Sequence, residues 1–133
     1  MPESVACGYV LNCTRRQYLA TSLAVADSHW SRLCGLIGKS TESFRNGKGL
    51  WIVPCRGVHT LGMRFPIDVV YLTKDRRVLH IEHGLAPWRL APVRLQATSV
   101  LELPENTLRA TGTTIGDEIE IDTRTTGDPD PHA

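Results

Sequence analysis

Residues 55–72 constrain the fold more than any other part of the chain, because ionisable side chains there run directly into an apolar segment. The first fourteen residues of this stretch include four kinds of ionisable group: the thiol of Cys55, the imidazole of His59, a guanidinium such as that of Arg64 and the carboxylate of Asp68. The residues that follow are largely apolar on both alternating faces, which predicts a core β-strand over 65–73. Ionisable groups are costly to bury unpaired, so those beside this strand must serve either pairing or chemistry.

The rest of the chain alternates short strand patterns with polar turns. Further strands are predicted at 9–12, 18–26, 50–53, 77–82, 98–103 and 117–122. Ser28 is a suitable N-cap, and apolar residues at helical spacing up to Gly38 predict one main helix. A short helical turn is predicted over 104–110. These patterns predict an α+β fold, mostly antiparallel β, in which a small, partly closed β-barrel-like sheet has its opening covered by the helix at about 28–38.

Length and composition favour one compact domain without a nucleic-acid partner. The chain has 133 residues, 41% of them hydrophobic, and a formal net charge of +1. We expect a single globular domain over 1–124 and a disordered tail over 125–133. No apolar run approaches the roughly 20 residues needed for a membrane span. The N-terminus lacks a secretory pattern and the four cysteines form no C-x-x-C pair, so we expect a cytoplasmic monomer with reduced thiols.

Two chemical readings of the ionisable residues are open. In one, His59 activates Cys55 as a nucleophile and Asp68 orients the imidazole. In the other, Cys55 is a small packed thiol and His59 bonds to the backbone. We expect no metal and no cofactor, since the histidines at 80 and 83 are three apart in a predicted strand and point to opposite faces.

A ligand-binding reading uses an overlapping set of side chains. Asp68 interrupts an apolar face, so we expect it to be buried and bonded outside its strand, either to backbone donors or to a side chain on a neighbouring element such as Thr60 or Arg89. Trp88 and Arg89 on a proline-rich loop form either a platform for an anionic ligand, or a plug with Arg89 paired to Glu102. The hairpin through residues 74–76 should bring this loop back to the Arg64 end of the strand. The predicted ligand-binding residues are His59, Arg64, Asp68, Trp88, Arg89 and Glu102.

Several motifs resemble those of the domain of unknown function 192 family. The run from 59 to 72, His-Thr-Leu-Gly-Met-Arg-Phe-Pro-Ile-Asp-Val-Val-Tyr-Leu, resembles the family signature. Arg-Leu-Cys-Gly-Leu-Ile-Gly at 32–38, Pro-Trp-Arg at 87–89 and Val-Leu-Glu-Leu-Pro at 100–104 follow in the family's order. The resemblance covers about residues 18–122. It implies a small β-rich domain with no established reaction. The genes of some members lie beside genes for pilus-type secretion, which implies an accessory role.

We therefore expect a non-catalytic binding or accessory module with a polar, anion-favouring site. Its partner would be a small anionic ligand or a protein. One alternative is a cysteine-dependent enzyme with Cys55 as nucleophile and His59 as base. Another is an interaction partner in a secretion or pilus apparatus, which would need an exposed apolar patch.

Overall fold

A computed structural model describes residues 8–26, 44–45, 47–58, 60 and 63–123, and its strands form one sheet. The strands are β1 (Gly8–Asn12), β2 (Gln17–Ala26), β3 (Lys48–Ile52), β4 (Ile67–Leu72), β5 (Val78–Leu85), β6 (Ser99–Pro104) and β7 (Ile119–Asp122). One short helix, α1 (Thr107–Thr111), follows β6. The helix predicted at 28–38 and the tail predicted at 125–133 lie outside the described residues.

The sheet has the order β5-β4-β6-β3-β2-β1-β7. All neighbouring strands pair antiparallel except β2 and β3, which are parallel. The two ends of the sheet approach each other where Arg77, just before β5, forms an antiparallel bridge with Glu118, just before β7. This contact partly closes the sheet, so the predicted β-rich, barrel-like α+β fold is confirmed.

The predicted late helical turn starts three residues later than expected. Asn106, which precedes α1, has a φ of 76°, in the left-handed region that glycine and asparagine tolerate best. This backbone turn ends the extended chain of β6, and α1 continues to Gly112, whose φ of 71° ends the helix. A single buried side chain of α1, Leu108, anchors the helix to the sheet.

Each face of the sheet carries its own apolar cluster, because successive side chains of a strand alternate between faces. We call one the α1 face; it includes Trp51, Val70, Leu72, Leu101, Leu103 and Leu108. We call the other the motif face; it includes Val58, Met63, Phe65, Val69, Tyr71, Ala91 and Val100. The core strand predicted at 65–73 is thus buried on both sides, and all six residues of β4 are buried.

In addition to the bridge between Arg77 and Glu118, the buried carboxylate of Asp117 connects the ends of two strands. Asp117 accepts hydrogen bonds from Asn12 Nδ2 at 2.9 Å, from Arg15 Nε at 3.0 Å and from the Thr114 amide at 3.0 Å. Burial alone would raise the pKa of Asp117, but these three donors outweigh it, and the pKa lies below its usual value. Asp117 is therefore charged in the folded protein at neutral pH and joins β1 to the approach of β7.

Candidate functional site

The chain from Arg56 to Thr60, which leads into the run that resembles the family signature, pairs with the proline-rich loop through its backbone. The Arg94 amide donates to the Arg56 carbonyl and the Ala91 amide to the Val58 carbonyl, both at 2.9 Å. Thr60 closes this ribbon, because its amide donates to the Arg89 carbonyl at 2.8 Å. We call residues 87–95 the platform segment. The prediction that this loop returns to the signature segment is confirmed.

Thr60 fixes the turn at the start of the platform segment. Its side chain is fully buried, donates to the Ala86 carbonyl at 2.5 Å and accepts from the Arg89 amide at 2.9 Å. The Trp88 amide donates to the Thr60 carbonyl at 2.9 Å, and Trp88 takes a φ of 63°, which is uncommon for a bulky residue. Such backbone conformations persist only where surrounding bonds hold them. Thr60 thus orients Trp88 and Arg89, a role that its sequence context did not reveal.

The platform segment exposes most of its large apolar side chains. Trp88 is 68% exposed, Leu90 74%, Val93 66% and Leu95 74%. Ala91 alone among the apolar non-proline residues of the segment is buried, and Tyr71 Oη donates to the Pro92 carbonyl at 2.5 Å. The segment is therefore attached at its middle and projects side chains outward on both sides of the attachment. Trp88 is not the plug that one reading of the sequence allowed.

Arginines accompany this apolar surface. Arg89 and Arg94 lie within the platform segment, and Arg56 lies opposite Arg94 in the ribbon; all three are exposed. Arg64 is also exposed and follows Met63, whose amide donates to the Thr60 carbonyl at 3.1 Å. No acidic residue occurs in the sequence between positions 82 and 102. The contributions of Arg56, Leu90, Val93, Arg94 and Leu95 were missed from sequence, although the alternation of apolar residues and arginine was a visible signal.

Asp68 does not join this surface. Its carboxylate is 1% exposed and accepts from the Gly84 amide at 2.8 Å and the Leu108 amide at 3.0 Å. Asp68 shares its strand face with Val70 and lies against α1, on the α1 face, whereas Thr60 holds the platform over the motif face. The expectation of partners outside its own strand is confirmed, and of the two kinds of partner predicted the structure shows backbone donors rather than the side chains of Thr60 or Arg89.

Glu102 lies on the same side of the sheet as the platform. It is opposite Leu50 of β3 and Val69 of β4, both of which belong to the motif face, and it is buried. His59 lies outside the described residues. Of the predicted ligand-binding residues, the structure thus brings Arg64, Trp88 and Arg89 to one end of the molecule. Glu102 lies on the motif face, and Asp68 lies on the opposite face of the sheet.

Cys55 lines a separate open cleft of about 490 Å³ together with Pro54, Arg56, Ala97 and Thr98. Its thiol donates to the Gly57 carbonyl at 2.9 Å, and its amide donates to the Thr98 carbonyl at 3.0 Å. The nucleophilic form of a cysteine is the thiolate, which has no hydrogen to donate to a carbonyl. Cys13 and Cys55, the two described cysteines, form no disulfide.

Comparison with known families identifies the chain. The model of the DUF192 family, described as an uncharacterized ACR, matches residues 10–121. The chain belongs to the DUF192 family. The UPF0127 protein PF1050 of Pyrococcus furiosus is a relative from the same family. It is 26% identical to this chain over 116 residues, which cover 84% of this chain and 96% of that protein.

Two solved structures share the fold of this DUF192 domain. A protein of unknown function from Novosphingobium aromaticivorans has a TM-score of 0.72 at 19% identity, over 85% of this chain and 82% of that one. A Sinorhizobium meliloti protein suggested to be a transcription regulator has a TM-score of 0.75 at 16% identity, over 91% and 97%. At these identities the likeness concerns the fold alone. Within its described part, the DUF192 domain has no helix long and apolar enough to cross a membrane.

Proposed function

We propose that this domain is a non-catalytic binding module and that the platform segment is its binding surface. The observation that carries the proposal is the group of four large apolar side chains, each at least 66% exposed, within eight consecutive residues. Groups of exposed apolar side chains mark interaction sites, whereas single exposed apolar residues are normal on protein surfaces. Trp88 adds a rigid aromatic anchor of the kind that dominates binding energy at interfaces.

The charges around the platform segment indicate what the ligand carries. Arg89 and Arg94 alternate with the apolar side chains, and Arg56 lies beside Arg94. Guanidinium groups bind carboxylate and phosphate through two parallel hydrogen bonds, and several of them without intervening acids attract an anion. The ligand best matched to this surface combines an apolar part with an anionic group. His59 and Arg64 remain part of the proposed site.

Asp68 and Glu102 support this site rather than contact its ligand. Asp68 holds the amide of Gly84, three residues before the platform segment begins at Pro87. The end of β5 is thereby fixed, and the direction in which the chain leaves the sheet is fixed with it. Glu102 is buried on the platform side of the sheet, opposite Leu50 and Val69 of the motif face.

A protein partner satisfies the same requirements as a small amphiphile. The alternative role as an interaction partner in a secretion or pilus apparatus needs exposed apolar area, which the platform segment supplies. The cysteine-dependent alternative is favoured by a different observation, the opening of the 490 Å³ cleft beside the Cys55 thiol. We rank it second because that thiol donates to the Gly57 carbonyl.

Matched amphiphiles test the proposal directly. Hexyl phosphate, hexanol and inorganic phosphate are titrated separately while thermal unfolding and tryptophan emission are recorded. We expect hexyl phosphate to raise the unfolding temperature saturably and to shift the tryptophan emission of the chain, with much weaker responses to hexanol or phosphate alone.

Surface variants with matched controls locate the binding. Arg89→Gln and Leu90→Ser should each weaken hexyl phosphate binding by about three- to tenfold, as expected for one charge-assisted or apolar contact. Arg109→Gln and Ile115→Ser change equally exposed residues outside the platform segment and should leave binding unchanged. Equal responses to hexanol and hexyl phosphate, or equal losses in the control variants, would refute the proposal.

A further inference from the structure

Two buried polar groups on the α1 face lack a hydrogen-bond partner among the described residues. They are the indole Nε1 of Trp51, a residue 7% exposed, and the hydroxyl of Ser99, a residue 1% exposed. Buried polar groups in native proteins are almost always satisfied, and each exception needs an explanation. The two groups belong to different strands, β3 and β6. A single bound species that satisfies both groups must therefore lie between them.

The strand register places these groups near each other. Trp51 of β3 lies opposite Leu101 of β6, and both belong to the α1 face. Ser99 is two residues from Leu101 on the same strand and so points to the same face, which makes it a diagonal neighbour of Trp51. Diagonal neighbours are about 7–8 Å apart at their backbones, a distance that an indole ring spans.

A guanidinium covers the same end of the α1 face. Arg76 lies in the turn between β4 and β5, and its guanidinium carbon is 4.6 Å from the centre of the Trp51 ring. Ser99 pairs with Leu72, at the end of β4 from which this turn leaves. The turn is held in place because the Arg76 amide donates to the Thr73 carbonyl at 2.9 Å and the Arg76 carbonyl accepts from the Ile119 amide at 2.8 Å.

Arg76 takes part in none of the ion pairs formed among the described residues. Asp75, beside it in the turn, is exposed, and two further acids close to the turn are paired elsewhere. Asp117 is paired with Arg15 at 3.0 Å, and Glu118 with Arg77 at 3.8 Å. The end of the α1 face therefore combines an indole N–H, a hydroxyl and a guanidinium, and no carboxylate of the described residues is bonded to them.

We propose that Trp51, Ser99 and Arg76 form a binding site for a small inorganic anion. An indole N–H and a guanidinium only donate hydrogen bonds, and a serine hydroxyl can donate one. A bound anion accepts all three and adds no hydrogens of its own. A water molecule in the same place has two lone pairs, so it can accept from only two of these three groups and would have to use the Ser99 hydroxyl as an acceptor.

The apolar surroundings also set the preferred class of anion. Trp51 and Ser99 are buried, so an anion bound between them must give up most of its hydration shell. The free energy of dehydration is smaller for weakly hydrated monovalent anions such as bromide, iodide and nitrate than for fluoride, sulfate or phosphate. The site lies on the α1 face, whereas the platform segment is attached to the motif face, so the two proposals are independent.

Bromide is the probe that tests the site, because it scatters X-rays anomalously. Thermal unfolding of the wild-type chain and Arg76→Gln is measured in sodium bromide and sodium fluoride at equal ionic strength. Subtracting the variant's response cancels general salt effects. We expect a saturable bromide-dependent rise in unfolding temperature in the wild type, with apparent affinity reduced at least tenfold in Arg76→Gln and reduced in part in Ser99→Ala. Arg109→Gln is the matched control and should respond as the wild type does.

Crystals soaked in bromide give an independent readout that does not depend on the folding of any variant. We expect an anomalous peak between the Trp51 indole, the Ser99 hydroxyl and the Arg76 guanidinium. An unchanged water at that position in bromide would overturn the proposal. So would a peak without a saturable effect in solution (an adventitious ion only), or identical bromide responses in the wild type and Arg76→Gln.

Discussion

Removing the Asp68 carboxylate should destabilise the fold through two specific backbone amides. In the wild type the carboxylate is 1% exposed and accepts from Gly84 at 2.8 Å and from Leu108 at 3.0 Å. Asp68→Ala leaves both donors without their acceptor. Each stranded buried donor costs about 1–3 kcal/mol, and relief of the buried carboxylate's own desolvation offsets part of the sum. We therefore expect a loss of about 2–4 kcal/mol in the free energy of unfolding.

Asp68→Asn separates the role of charge from that of shape. The amide oxygen can still accept from one backbone N–H, but the side-chain NH2 then faces the second donor. We expect a loss of about 1–2 kcal/mol, smaller than that of Asp68→Ala. Asp75→Ala removes an exposed aspartate from the β4–β5 turn and should change stability by less than about 0.5 kcal/mol.

Urea unfolding, followed by far-ultraviolet circular dichroism, measures these losses, and an unchanged m-value would show that the same surface is exposed on unfolding. Hydrogen exchange provides the site-specific readout, because the Leu108 amide should lose protection in both Asp68 variants and keep it in Asp75→Ala. A loss below about 0.5 kcal/mol in Asp68→Ala, with the Leu108 amide still protected, would refute the reasoning.

Three further outcomes are expected. The folded pKa of Asp117 lies below its unfolded value of about 3.9, so its contribution is complete above that pH and is lost as the pH falls through the folded pKa; Asp117→Asn should flatten the pH dependence of urea unfolding below about pH 4. Gly84→Ala should cost about 1–2 kcal/mol in urea unfolding, because Gly84 has a φ of 57° and a Cβ would lie 2.8 Å from Glu105 Oε2; Gly112→Ala, with a φ of 71° and open space, isolates the backbone part of that cost. Mass spectrometry of the Cys55 peptide should show slow iodoacetamide labelling at pH 7 that rises mainly above about pH 8, whereas fast labelling at pH 6 that disappears in His59→Ala would favour the enzyme alternative.

The sequence was sufficient for the elements that depend on local pattern. The alternating apolar positions around Asp68 predicted the central strand β4, and the polar turn after it predicted the hairpin to β5. The same alternation predicted that Asp68 is buried and must be bonded outside its strand, because an isolated carboxylate cannot remain in a core. These conclusions need only the period of a strand and the cost of burying charge, both of which are properties of neighbouring residues.

Only the tertiary structure decided which distant groups share a surface. Periodicity gives the two faces of a strand but does not say which face meets α1, so the separation of Asp68 from Arg89 followed from the packing of Leu108 and Ala91. The exposure of Trp88 depends on bonds to Thr60, twenty-eight residues earlier. The approach of Trp51, Ser99 and Arg76 depends on which strands are neighbours in the sheet. Strand order is set by the free energy of the whole packed core, and no local segment contains that information.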